Sequence, residues 1–255
     1  MKFMTAVHSD VGIKKETNED SVLVQIANTD YGEVCLAVVC DGMGGFAKGE
    51  LASATLIRNF SNWFQNDFPY FLYKGIKPEE LKSSLENLIF RVNNEISSFG
   101  TKNHVKLGTT VAALLIVGDM YYIIDVGDSR IYSITNTLTQ ITKDQTFVQR
   151  EMDAGRMTIE QAKKDPQRNV LLQCVGASEV IEPDFHLGKL EANTIFLLCS
   201  DGFRHVISRE EIYESLNPNH LKNEEDMKKQ AVYLTDLNKY RRENDNISAV
   251  LIHVS

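Results

Sequence analysis

Acidic residues stand at the ends of the apolar runs of this 255-residue chain, and carboxylates placed that way can hold hard cations. VCLAVVC runs into Asp41-Gly42-Met43-Gly44-Gly45, MYYIIDV into Gly127-Asp128-Ser129-Arg130, and TIFLLCS into Asp201-Gly202. Asp245-Asn246 precedes ISAVLIHV, and Asn18-Glu19-Asp20 precedes SVLVQIA. A strand ties its end residue to a rigid core, so each carboxylate is placed and not merely attached. Gathered at one rim, these groups would repel one another. A hard divalent ion relieves that repulsion and prefers oxygen ligands. The chemistry hinted at is a carboxylate-built, multi-metal site. An Asp-Gly pair after a strand is also an ordinary turn, because both residues tolerate turn geometry. Each block alone fits either reading, and only convergence in space separates them.

The elements that must position these acids are short strands and helix pairs. Segments 3–7, 21–27 and 33–40 read as strands. Residues 48–67 read as a helix, with Leu51, Thr55, Ile57, Phe60 and Phe64 in mixed helical spacing. Pro78 suits a first helical position, and Leu81, Leu85, Leu88, Ile89, Val92 and Ile96 form an apolar stripe behind it. Segments 109–117, 120–126, 129–135 and 138–141 read as strands joined by turns too short for parallel crossovers. Residues 144–164 read as one or two short helices, with Thr158 and Gln161 as a capping box. Segment 194–200 is a strand. Ser208 with Glu211 opens a short helix, Asn223 opens a longer one, and 247–254 is the last strand. Helices paired between strand blocks predict an α+β fold of antiparallel sheets covered by helices.

Composition sets bounds. The chain is compatible with one domain, 1–255, and its 43% hydrophobic content supports a real core. A net charge of -8 argues against a general nucleic-acid binder. The longest apolar runs are too short to span a bilayer, and MKFMTAVHSD lacks a secretory apolar stretch. The expectation is a cytoplasmic protein without membrane or nucleic-acid partners. Cys35, Cys40 and Cys199 lie in strand-like runs, and none of these or Cys174 forms a CxxC pair, which reads as reduced, buried thiols.

The sequence also bears on two other chemistries. Gly42 to Ala47 fits G-x-G-x-x-G/A after a strand, the mark of a dinucleotide-binding turn and an oxidoreductase. Two helical segments follow before the next strand, and the acid expected on a second strand is missing, so this reading is discounted. An Asp directly before the first glycine suits a metal site better, with a nearby carbonyl as a further ligand. No serine nucleophile with a histidine and acid is apparent. The six histidines show no paired spacing.

The order of the blocks carries more than any one of them. T-N-E-D, V-C-D-G-M-G-G, G-T-T, V-G-D-S-R, I-T-K-D-Q-T-F-V-Q, D-P-Q-R-N-V, L-C-S-D-G and E-N-D-N-I-S follow one another along nearly the whole chain. Together they resemble the metal-dependent protein phosphatases, the protein phosphatase 2C family, in its compact bacterial form. The resemblance implies an α-β-β-α sandwich with a binuclear manganese or magnesium site at one end. It implies that Asp41 bridges both metals, that Asp201 and Asp245 bind one, and that the Gly42 carbonyl binds the other, with Glu19 or Asp20 acting through bound water. It makes Asp128 a ligand of a third, weaker metal shared with Asp201, and puts Asn169 near that metal. Segment 143–178 resembles the family's mobile flap. The implied activity is hydrolysis of phosphoserine and phosphothreonine in proteins by a metal-bridging water, with a cognate Ser/Thr kinase as partner and a monomeric enzyme.

Three positions depart from the family's pattern. Lys15 stands where an arginine usually clasps the phosphate, and lysine keeps the charge but loses the planar fork. Met43 stands where some relatives carry a histidine proposed as general acid. Gln145 replaces a histidine frequent after Thr-Lys-Asp. Lys15 leaves a second expectation alongside the first: a weakly active phosphatase-fold protein that binds phosphoproteins or a regulator.

Overall fold

Strands that are apolar at every position need a core on each face, and this chain supplies both. The computed structural model describes residues 2–30, 32–44 and 48–254. Its strands are β1 (Phe3–Asp10), β2 (Ser21–Thr29), β3 (Gly32–Cys40), β4 (Gly42–Gly44), β5 (Leu107–Thr109), β6 (Val111–Val117), β7 (Met120–Val126), β8 (Arg130–Ile134), β9 (Leu138–Gln140), β10 (Asp184–Lys189), β11 (Thr194–Cys199) and β12 (Ile247–Val254). Its helices are α1 (Gly49–Asn66), α2 (Phe68–Lys74), α3 (Pro78–Asn103), α4 (Phe147–Asp153), α5 (Ile159–Lys164), α6 (Arg209–Leu216) and α7 (Glu224–Tyr240).

Two large sheets form, in the orders β1-β12-β11-β8-β9 and β10-β7-β6-β3-β2. All their pairings are antiparallel. On β3, Val34, Leu36, Val38 and Cys40 face a core shared with α1, α2 and α3, where Phe60, Trp63, Leu85 and Ile89 are buried. The alternate residues Cys35, Ala37 and Val39 face the second sheet, beside Phe196, Leu198 and Val250. Ile247, Ala249 and Leu251 of β12 face a third core closed by Leu216 of α6 and by Met227 and Leu234 of α7. The layers run helix, sheet, sheet, helix.

Antiparallel pairing gathers strand ends at one rim. Ser21 pairs with Cys40, so β2 begins where β3 ends. Cys199 pairs with both Arg130 and Ala249, so β11 ends where β8 and β12 begin. The acidic blocks therefore share one end of the sandwich.

The capping boxes at Thr158–Gln161 and Ser208–Glu211 form as read, and the Asn223 side chain caps α7. The four cysteines are free and buried. No helix among the described residues is long and apolar enough to cross a membrane. Four features differ from the sequence reading. Helix α2 was missed because FPYFLYK carries Pro69 and aromatic residues and follows α1 with almost no break. β10 was missed because it is an edge strand whose residues are half-exposed or exposed. The strand expected over 109–117 is two strands broken at Thr110. Gly42 to Gly44 pairs with β5, and so does not open a βαβ turn. The antiparallel sheets remove the dinucleotide reading, although Gly45, Phe46 and Ala47 lie outside the described residues.

Candidate active site

At the shared rim a cleft of about 240 Å³ is lined by Lys15, Glu19, Asp41, Gly42, Met43, Gly44, Thr110, Asp128, Asn169, Leu171, Asp201 and Asp245. Of the acids expected in a metal site, Asp20 alone does not line it. Asp20 is buried, where its Oδ2 accepts a hydrogen bond from Ser200 at 2.8 Å.

Asp41 is fixed through its peptide. Its N–H donates to Thr110 Oγ1 at 3.0 Å, and its carbonyl accepts from Thr110 N at 2.9 Å and from Thr109 Oγ1 at 3.0 Å. Thr110 Oγ1 also meets Ser129 Oγ at 2.7 Å, which ties Asp41 to the β7–β8 turn carrying Asp128. This gives the G-T-T block its function: two hydroxyls lock the neighbouring strand ends. A side chain at Gly42 would run into the carbonyls of Gly49 and Glu19, so only glycine lets the chain pass between them. Glu19 Oε1 accepts from Gly49 N at 3.0 Å, at the start of α1, a favoured place for an anion. Asn246 clamps the loop before Glu19. It accepts from Glu19 N at 2.9 Å and donates to Val11 O at 3.0 Å and Thr17 O at 3.2 Å.

Three of the acids face basic side chains. Lys15 Nζ lies 2.9 Å from Asp245 Oδ1, so the expected phosphate clasp lines the cleft but engages a carboxylate. His205 Nε2 lies 3.3 Å from Asp201 Oδ2, and its Nδ1 lies 3.4 Å from Glu243 Oε2. Arg204 Nη2 donates to the Asp128 carbonyl at 2.9 Å and to its Oδ2 at 3.2 Å. Arg130 grips Asp144 through two bonds of 2.6 Å, and Arg204 Nη2 lies 3.5 Å from the same carboxylate.

Burial and mutual repulsion govern the acids. Burial, then the charges of Asp20, Asp201, Asp128 and Asp245, hold the Asp41 carboxyl well above the usual range. Burial pushes Asp20 up to about 7, against the hydrogen bonds from Ser248 and Ser200. Asp128 also rises to about 7, through burial and Asp201, with Arg204 opposing.

These features fit divalent cations. The donors are carboxylate and carbonyl oxygens, and Asp20 Oδ1 and Asp201 Oδ1 are buried without a hydrogen-bond partner. Among the described residues, no three His, Cys, Asp or Glu side chains converge closely enough to hold an ion by themselves.

Sequence reasoning missed Arg204 and His205, and met Gln145 only as a departure from the family's pattern. The first two follow Asp201 at three and four residues, the spacing at which a turn returns side chains toward its start, and that signal was available. Gln145 Oε1 accepts from Gly127 N at 2.7 Å, its Nε2 donates to Asp184 Oδ2 at 2.9 Å, and its backbone N–H reaches Gly127 O at 2.8 Å. It thus braces Gly127, whose φ of 105° suits glycine, directly before Asp128. Asn169 lines the cleft from the segment expected to be a flap. Met43 lines the cleft, and no histidine does among the described residues.

Comparison with known proteins agrees with this geometry. The family model described as protein phosphatase 2C matches residues 12–251. Serine/threonine protein phosphatase PstP of Mycobacterium tuberculosis is 35% identical over 212 residues, 83% of this chain and 38% of PstP, so the chain spans well under half of that relative. Serine/threonine phosphatase stp of Listeria monocytogenes is 30% identical over 248 residues, 96% of this chain and 93% of that protein. The solved serine/threonine phosphatase of S. agalactiae superposes with a TM-score of 0.86 at 28% identity, covering 100% of both chains. The catalytic domain of PstP, solved in complex with two manganese ions, gives a TM-score of 0.79 at 30% identity over 98% of this chain and 97% of that one. Motif order, sheet pairing and these likenesses agree: the chain belongs to the protein phosphatase 2C family, in its bacterial form.

Proposed function

We propose that this chain is a single-domain, metal-dependent serine/threonine protein phosphatase. The observation that carries the reading is the meeting of Asp41, Asp201 and Asp245 with Glu19 and Lys15 around one cleft, in a chain of this family. Asp41, Asp201, Asp245 and the Gly42 carbonyl would hold two manganese or magnesium ions, with Glu19 or Asp20 taking part through bound water. When bound, such ions ease deprotonation of water near neutral pH and offset charge on phosphoryl oxygens.

The chain's own residues supply position. Thr109 and Thr110 hold the Asp41 peptide against movement during the reaction. Lys15, released from Asp245, offers its ammonium to the phosphate, and Asn169 offers an amide across the cleft. Met43 and Leu171 supply apolar wall that limits water. The displacement is a single step: the oxygen of water bonds to phosphorus, the bond to the seryl or threonyl oxygen breaks, and the alcohol leaves with a proton. A Ser/Thr kinase must supply the phosphoester, and the reading is of a cytoplasmic monomer.

Hydrolysis of p-nitrophenyl phosphate and a phosphothreonine peptide, with and without manganese, tests this. Manganese-dependent turnover of both is expected. Full activity in metal-stripped protein would remove the metal from the reading. Peptide binding without turnover would favour the weakly active phosphoprotein binder, a reading to which the engagement of Lys15 by Asp245 lends support.

A further inference from the structure

Asp128 is one of the site's acids, yet its surroundings differ from those of Asp41. Its carboxylate and the Arg204 guanidinium are both nearly enclosed, with side chains 9% and 10% exposed. One nitrogen, Arg204 Nη2, donates to the Asp128 carbonyl at 2.9 Å and to its Oδ2 at 3.2 Å, so it grips backbone and side chain together. The same nitrogen lies 3.5 Å from Asp144 Oδ2. Asp144 is itself fixed by two Arg130 bonds of 2.6 Å and by Gln140 at 3.3 Å. Two guanidinium groups therefore face two carboxylates, and the cluster balances its charge without an added ion. Guanidinium stays protonated at every accessible pH, so the positive half of this cluster is permanent.

The chain path fixes Arg204 in that place. Its N–H donates to Asp201 O at 3.0 Å, closing the short turn that Asp201 opens after β11. The residue that neutralises Asp128 is thus anchored to Asp201, the acid with which Asp128 would share an ion. Asp201 already has His205 beside Oδ2, which leaves its unpartnered Oδ1 for an ion held with Asp245 or Asp41. By contrast, no ion pair involves Asp41 or Asp20 among the described residues. The need for external cations is concentrated on one side of the cleft.

We propose that Arg204 is the built-in cation of Asp128, and that Asp128 therefore binds no divalent ion in this chain. This rests on the phosphatase reading above and narrows it: metal loading is confined to the ligands around Asp41, and the third ion that the family resemblance implies is replaced by a side chain. Arg204 is a positioning residue, since it acts on the reaction through Asp128.

Metal counting tests this without reference to turnover. Stripped protein would be titrated with manganese by calorimetry, the bound metal counted by atomic emission, and folding checked by circular dichroism. Asp128→Asn keeps the Arg204 bond to the carbonyl and its approach to Asp144, and should bind as many ions per chain as the unaltered protein. Arg204→Gln leaves Asp128 uncompensated and should bind one ion more, with an anomalous-scattering peak at Asp128. Loss of an ion in Asp128→Asn would overturn the proposal. So would a folded Arg204→Gln with no gain. Should Arg204→Gln fail to fold, Asp128→Asn decides alone. Failure of the unaltered protein to bind manganese at all would sink the phosphatase reading, and this inference with it.

Discussion

The two sides of the cleft solve the same electrostatic problem in opposite ways. On the side of β3, β4 and α1, the contacts are neutral: Thr109 and Thr110 hold the Asp41 peptide, Ser200 donates to the Asp20 carboxylate, and the Gly49 N–H donates to that of Glu19. On the side of β8, β11 and β12, Asp128, Asp201 and Asp245 each face a basic side chain, Arg204, His205 and Lys15. Neutral contacts position an acid, through its peptide or its carboxylate, without cancelling its charge, so the first side keeps a full demand for cations. Basic partners satisfy part of that demand from within the chain. The difference teaches that carboxylates alike in sequence context need not be alike in function.

The largest expected effect lies on the neutral side. Asp41→Ala should lower turnover on p-nitrophenyl phosphate by about 1,000-fold or more, since metal-ion catalysis supplies several kcal/mol and each ~1.4 kcal/mol is tenfold. The metal-free protein should melt at the same temperature or higher, because removing Asp41 relieves repulsion among Asp20, Asp201, Asp128 and Asp245. Asp201→Ala and Asp245→Ala should also abolish most turnover, but without that gain, because His205 and Lys15 lose partners. An Asp41→Ala protein that is inactive and melts far lower when metal-free would erase the distinction between the two sides.

Removal of metal comes next in size. EDTA should stop hydrolysis and manganese should restore it, with a melting shift equivalent to about 2.7 kcal/mol at 100 times the dissociation constant. The shift should depend on pH. Asp20 has a folded value near 7 against an ordinary 3.8. The metal-free fold therefore holds its proton more tightly than the unfolded chain does. That stabilisation is complete below about pH 4 and is lost as pH rises toward about 7. Melting of the stripped protein should thus improve as pH is lowered from about 8 to about 5.5. Manganese, which takes carboxylates in their anionic form, should stabilise most at the alkaline end. A melting temperature independent of pH in the stripped protein would show that the acids are not held protonated.

The acids were legible in the sequence because each adjoins a strand whose apolar run could be read directly. The last strand, 247–254, has the bounds read from it, since β12 is buried at every position between two cores. β4 was not legible, because Gly-Met-Gly becomes a strand only by pairing with β5, more than sixty residues away. Arg204 and His205 could be seen to lie near Asp201. What could not be seen was that the β7–β8 turn and Glu243 come within reach of them, since that depends on the pairing of β11 with β8 and β12. Gln145 illustrates the same limit. Its replacement of a histidine carried no meaning until its amide was found bracing Gly127 from one side and Asp184 from the other. Local pattern reveals ligands, while the partners that tune them come from chain crossings.

The smallest expected effect concerns Lys15, the one basic residue of the second side that also lines the cleft. Its ammonium is paired with Asp245 at 2.9 Å while the side chain stays 40% exposed, so the pair is weak enough to exchange for phosphate. A point charge on a flexible stem binds phosphate less well than a planar fork does. Lys15→Arg should therefore lower the Michaelis constant for small phosphate esters a few-fold, on the order of 1 kcal/mol for one better charge-assisted contact. Lys15→Ala should raise it. Turnover should change less than the Michaelis constant in both, because a contact made equally in ground and transition states affects binding alone. If both variants match the unaltered protein, Lys15 serves only to neutralise Asp245. It would then do for that acid what Arg204 does for Asp128, and phosphate would be held by the ions and Asn169.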